Sequence, residues 1–255
     1  RTIFRLTTCP VCAGTHAGRA HSGDKMIDSK RLMLVKIPRW NLGVFTLFIF
    51  LAMFFYPGGT YRDATTEGYI FSQNFLSDLG RWAVYNGQEN YFSSVLFSFA
   101  FAATGLVFCF FFWILPSLYS KERNVHLVSM IGSAGGILGG IFIMGSGLTP
   151  GDLMLDPHVF FSNWCFRFFL IAAVCYTFVF FRTDTMHTIY GMGYGLFAFL
   201  IAVYIGIIEF GPSIEESLSA LKIQVVSQKL ICLTFILAVA FQTYGNEEAL
   251  GKRGI

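Results

Sequence analysis

Charged side chains are what this sequence has least of. Asp, Glu, Lys and Arg make up 13% of its 255 residues, against about 25% in an ordinary soluble domain. So few ionic groups cannot coat a water-soluble surface, and the shortage makes lipid the expected solvent. Familiar catalytic patterns are missing too. No His-x-x-x-His, His-Glu-x-x-His or Gly-x-Ser-x-Gly occurs, so the zincin and nucleophile-elbow signatures are absent. There is no Asn-x-Ser/Thr sequon, hence no consensus N-glycan acceptor. A net charge of +3 is too small to suggest nucleic acid as a partner.

What fills the sequence instead is apolar: 55% of residues, 30 of them Phe. Phe-, Leu- and Ile-rich runs of about 20 residues recur between polar connectors, the length that spans a hydrocarbon layer. The expected fold class is all-α, a six-transmembrane-helix bundle. Its helices are predicted at about 38–56, 91–115, 125–148, 158–181, 189–208 and 213–244. They form a single domain over 26–255. Residues 1–25 are polar and unlike the rest; they read as a disordered or upstream-translated segment, with Met26 as a possible start. Within it Cys9-Pro-Val-Cys12, followed by His16 and His21, superficially resembles a zinc knuckle, with a Cys12-to-His16 spacing short for a closed site. Cys109, Cys165, Cys175 and Cys232 fall inside apolar runs, where thiols act as small hydrophobes.

Pro38 is expected in the first turn of helix one, where its missing N–H costs nothing. Helix three carries Gly132, Gly136 and Gly140 at four-residue spacing, a stripe that lets a neighbouring backbone approach. Gly191, Gly193 and Gly195 follow no strand, so a dinucleotide fingerprint fails on context. Ser213 and Glu216 are spaced as a capping box opening helix six. From there to Tyr244 that helix would be about 45 Å long and should project beyond the hydrocarbon. Lys and Arg concentrate at the N-terminal flank, the Lys121/Arg123 connector, the Arg182 connector and the C-terminal tail. The positive-inside rule then puts both termini in the cytoplasm, of a plasma or inner membrane if the source is prokaryotic.

That orientation gathers the carboxylates on the opposite, non-cytoplasmic face. Asp78 in the first outer loop is expected to meet Asp152, Asp156 and His158 of the second. Such a group could bind a divalent cation, act as acid and base, or clamp a lipid headgroup. The alternative for Asp152 and Asp156 is helix capping, and for His158 a structural hydrogen bond at a helix entrance. Arg167 lies about nine residues into helix four, with Asn163 one turn nearer the outer face; a guanidinium at that depth needs a partner, such as Glu209 or a lipid phosphate. Lys229 is read as close enough to an interface to snorkel.

Two loops carry a resemblance. Asn74-Phe-Leu-Ser-Asp-Leu-Gly80, with Asn86-Gly-Gln-Glu-Asn90 leading into Ser93, and Thr149-Pro-Gly-Asp152 to Asp156-Pro-His158-Val-Phe-Phe161 are similar to elements of an uncharacterised six-helix prokaryotic membrane protein family. That family is akin to the DRAM autophagy modulators and the fibroblast-growth-factor-receptor-activating-protein group. The resemblance implies membrane lipid biology and puts functional weight on Ser77, Asp78, Gly80, Asn90, Asp156 and His158. The leading expectation is a protein that binds a lipid headgroup or a partner at its outer polar face. One alternative is a metal-assisted lipid hydrolase or acyltransferase with Asp78, Asp156 and His158 as ligands. Another is an accessory subunit whose third helix packs against another membrane protein. No cofactor is indicated.

Overall fold

The structure is a computed structural model that describes residues 26–119, 122–184 and 186–252. Residues 1–25, with the Cys9/Cys12/His16/His21 pattern, lie outside the described residues. Six helices are long and apolar enough to cross a membrane: α1 (Met26–Phe55), α2 (Tyr91–Leu118, its last turn 3-10), α3 (Arg123–Leu148), α4 (Leu155–Arg182), α5 (Thr188–Phe210) and α6 (Leu218–Gly251). The described residues contain isolated β-bridges but no strand. The chain is an integral, multi-pass, all-α membrane protein. Neighbours in sequence pack side by side, and α6 returns to α1 along the thinnest seam of the ring.

α1 begins twelve residues before Pro38, so that proline is not in a first turn. Having no N–H, Pro38 leaves the Leu34 carbonyl, its partner four residues back, without an α-helical donor. The helix widens into a π turn over Leu32–Lys36, and the Asn246 amide of α6 donates to the Leu34 carbonyl at 3.1 Å. A proline and a distant asparagine thus lock the start of α1 to the end of α6. Arg31 and Arg39 both reach Glu247, at 3.1 and 2.9 Å, and Arg39 also donates to Thr243 at 2.9 Å. These contacts explain why α6 continues to Gly251 rather than stopping near Tyr244.

The start of α6 also differs from expectation. Ser213 and Glu216 do form a local turn, the Ser213 N–H donating to the Glu216 carboxylate at 3.1 Å. It is a single turn, and the helix starts at Leu218, capped by Ser217, whose hydroxyl accepts from the Ala220 N–H at 3.0 Å. The overhang is therefore at the C-terminal end of α6.

Between helices in lipid there is little hydrophobic drive, so close packing and interhelical hydrogen bonds carry the association. α3 lies between α2 and α4. At Gly105 of α2 an added Cβ would fall 2.3 Å from the Gly140 carbonyl oxygen, and at Gly136 2.2 Å from the Phe112 ring. On the α4 side, Gly132 meets Cys175 at 2.8 Å in the same sense. Ring contacts fill the remaining centre, Phe169 lying 4.6 Å from Phe235 and 5.8 Å from Phe108. Polar bonds cross each neighbouring pair, among them Asn41 to Thr104 (α1–α2, 3.0 Å), Ser133 with Tyr176 (α3–α4, 2.6 Å) and Tyr194 to Gln242 (α5–α6).

Candidate functional site

The connector between α1 and α2 is folded rather than loose. Gly58 and Gly59 have φ of 145° and 80°, a turn that places the Gly59 N–H 2.8 Å from the Thr66 carbonyl. A Cβ on Gly58 would lie 2.3 Å from that same Thr66 oxygen, so both the angle and the space call for glycine. The turn sets up a buried centre around Asn74. Its side-chain amide donates to the Gly59 carbonyl (2.8 Å) and to Asp78 (3.3 Å), and its side-chain oxygen accepts from the Ile70 N–H (2.9 Å).

Asp78 is 4% exposed, on a 3-10 turn at Leu76–Gly80. Its carboxylate accepts from the Phe75 N–H (2.8 Å), Asn74 and the Tyr85 hydroxyl (3.0 Å). Burial pushes the Asp78 carboxyl up, against those hydrogen bonds and the charge of Arg81. Burial and the Asp78 charge also hold the Tyr85 phenol above its ordinary value, so it remains a donor. From α6, Lys229 donates to the Asn74 carbonyl, with the Tyr69 and Phe71 rings 5.4 and 5.0 Å from its ammonium. At 7% exposure Lys229 does not snorkel; the folded connector comes to it and satisfies it where it stands.

The other expected site residues separate into distinct places. Asp152 ties the second connector to the first, its two oxygens accepting from the Trp82 and Ala83 N–H groups at 2.9 Å each. Asn90 is buried, donating to the Leu79 and Arg81 carbonyls at 3.1 and 2.8 Å, while its side-chain oxygen has no hydrogen-bond partner. Asp156 is exposed. Asp78, Asp156 and His158 do not converge as metal ligands, and no group of three or more His, Cys, Asp or Glu suited to a metal occurs among the described residues. The physical reason is that Asp78 is consumed by its own connector and His158 turns inward.

His158 is 7% exposed. Its Nδ1 lies 2.7 Å from the Thr149 carbonyl oxygen, at the end of α3. A carbonyl only accepts, so Nδ1 carries the proton of the neutral ring and Nε2 is the lone-pair nitrogen. The lone pair of Nε2 faces the Ser162 hydroxyl at 3.4 Å, and Ser162 and Ser146 lie 2.7 Å apart, with either hydroxyl able to donate to the other. With Ser162 donating to His158, the order of donation runs Ser146 to Ser162 to His158 to Thr149. Ser146 and Ser162 border a cavity of about 70 Å³ in the middle of the bundle, whose wall also includes Ser77, Thr104 and Gln228 among mainly aromatic and aliphatic side chains.

On another face of α4, Arg167 donates to the Asn163 carbonyl at 2.8 Å and to the Glu209 carboxylate of α5, with the Trp164 ring 5.5 Å from its guanidinium carbon. Asp156, Phe160, Asn163, Trp164 and Arg167 line a shallow groove on the outside of the helix. The ion pair with Glu209 is one of the partners the sequence suggests, and it leaves Arg167 27% exposed.

Tyr85, Ser146, Ser162 and Gln228 are the polar residues that sequence reasoning passed over, and Asn74 was read only as part of a loop motif. Only the four-residue spacing of His158 and Ser162, which puts both on one side of α4, was there to be read. Comparison with known proteins finds no family model, no curated protein and no solved structure that matches the chain.

Proposed function

We propose that this protein binds a phospholipid headgroup at the groove on α4, in the non-cytoplasmic leaflet of its membrane. The observation that carries the reading is Arg167. Two of its five N–H donors are used, on Asn163 and Glu209, which leaves three for a phosphate, the anion a guanidinium recognises best. Trp164, 43% exposed, supplies the amphipathic ring that favours the headgroup level, and Asp156 adds a carboxylate nearer the helix start. The polar connector that includes Asp78 supports the same side as the binding face by roofing the bundle there. The resemblance to lipid-associated six-helix membrane proteins points in the same direction. An accessory-subunit role through Gly132, Gly136 and Gly140 has less support, since the neighbours of these glycines lie in the same chain.

The test is lipid retention. Protein purified from vesicles of equal phosphatidylcholine and phosphatidylglycerol is examined by native mass spectrometry. Arg167→Ala is expected to lose bound phospholipid by about tenfold, the scale of one charge-assisted hydrogen bond. Glu209→Gln, which removes the competing carboxylate, is expected to raise it. Unchanged retention in a folded Arg167→Ala protein overturns the reading.

A further inference from the structure

The hydrogen-bonded series ending at Thr149 is a chemical arrangement as well as a helix tie. A serine hydroxyl, an imidazole accepting its proton, and a third group fixing the imidazole tautomer are the parts of an activated oxygen nucleophile. Here the third group is a backbone carbonyl, which can orient the ring though it adds no full charge. With Ser162 donating to His158, Ser146 is left to donate to the same Ser162 oxygen, 2.7 Å away, and so favours its developing alkoxide. The 3.4 Å separation of Ser162 from His158 is long, as catalytic contacts often are before substrate tightens them.

The surroundings specify what Ser162 could meet. Its cavity is small and walled mainly by rings and aliphatic side chains, such as Phe101, Phe108 and Phe166. A hydrated or charged substrate would lose its solvation there. A carbonyl at the end of a hydrocarbon chain would not. Leu42 of α1 and Ile236 of α6 border this cavity and also border an outer groove along the α1–α6 seam. These two side chains stand between the cavity and lipid, and the seam they occupy is the thinnest in the ring.

We propose that Ser162 is an acyl-accepting nucleophile, with His158 its general base, for long-chain carboxylic esters that enter from the bilayer between α1 and α6. Ser162 Oγ attacks the ester carbonyl carbon as its proton passes to His158 Nε2. The tetrahedral intermediate then breaks its bond to the alcohol oxygen, which leaves with that proton from His158. The acyl group is left on Ser162. Water, or a second alcohol, attacks the acyl-serine while giving a proton to His158, and Ser162 Oγ departs and recovers it. No metal or redox partner enters the balance. The site uses a different face of α4 from the Arg167 groove and does not depend on the headgroup reading.

The test uses the full-length protein in phosphatidylcholine nanodiscs and a long-chain alkyl fluorophosphonate, with intact mass and peptide mapping. One adduct is expected, on Ser162, and none in Ser162→Ala. His158→Asn keeps an N–H for the Thr149 carbonyl but removes the base, and should slow labelling by about 100-fold or more with little change in thermal midpoint. A merely structural histidine would show the opposite pair of effects. In unmodified protein the peptide map decides even if a variant does not fold. No adduct at Ser162, or His158→Asn labelling at the unaltered rate, overturns the proposal; arrival of lysophosphatidylcholine and free fatty acid only when Ser162 is intact supports hydrolysis of the ester.

Discussion

At the scale of single residues, Asp78 shows how a loop carboxylate becomes structural. Three donors from Phe75, Asn74 and Tyr85 point at it, which favours the ionised form, yet burial prevails and raises its proton affinity. The sign for stability follows by linkage. With the folded value above the unfolded one of about 3.9, the folded state holds the proton more firmly. The contribution to stability is full below the unfolded value and is lost as pH rises through the folded one. Asp78→Asn lacks this titration. Thermal midpoints measured in detergent at fixed ionic strength should therefore show the unmodified protein gaining on Asp78→Asn as pH falls from neutral toward the ordinary carboxylate range. Parallel pH profiles would mean that Asp78 does not titrate differently on folding. Asn74, the Ser-Asp pair and Lys229 were each visible in the sequence, but their meeting with one another and with Tyr85 was not, because it depends on the Gly58-Gly59 turn and on α6 arriving from 155 residues further along.

At the scale of helices, apolar length made all six spans legible, while their ends were set by contacts that no local pattern records. Pro38 reads locally as a first-turn residue, yet the helix runs through it because Asn246 takes up the freed carbonyl. Ser213 and Glu216 read as a cap and instead close a turn before the true cap at Ser217. Glycine spacing was legible too, but not the choice of partner for each glycine. Gly136 and Gly43 offer a direct contrast. An alanine at 136 drives its Cβ 2.2 Å from the root of the Phe112 ring, which is itself held against Phe169 and Tyr176 and cannot swing aside. Gly136→Ala is expected to cost about 1–3 kcal/mol, the range for overpacking. At Gly43 nothing lies within 4 Å of an added Cβ, so Gly43→Ala should be neutral or stabilise by up to about 1 kcal/mol through helix propensity. Unfolding in a mixed detergent series would compare the two, and equal effects would contradict the packing seen around Gly136.

For the whole molecule, six spans put the two described chain ends on one face and the connectors holding Asp78 and Asp152 on the other. Lys30, Arg31, Lys36, Arg39, Arg123, Arg182 and Lys252 belong to the first face, against Arg62, Arg81 and Lys222 on the second. Lys229 drops out of the comparison because its ammonium is buried against the Asn74 carbonyl. The pairing of Arg31 and Arg39 with Glu247 does not alter the balance, since orientation follows Lys and Arg rather than net charge. If the basic face is cytoplasmic, as the positive-inside rule expects, the folded connector, the Arg167 groove and the start of α4 lie on the far side. Glu67 and Glu122 are exposed, one on each face, and serve as reporters. In a background with Cys9 and Cys12 changed to serine, Glu67→Cys should react with a membrane-impermeant maleimide on intact cells, and Glu122→Cys only after permeabilisation. The reverse pattern would move the Arg167 groove to the cytoplasmic leaflet, and reaction of both on intact cells would break the six-span arrangement itself.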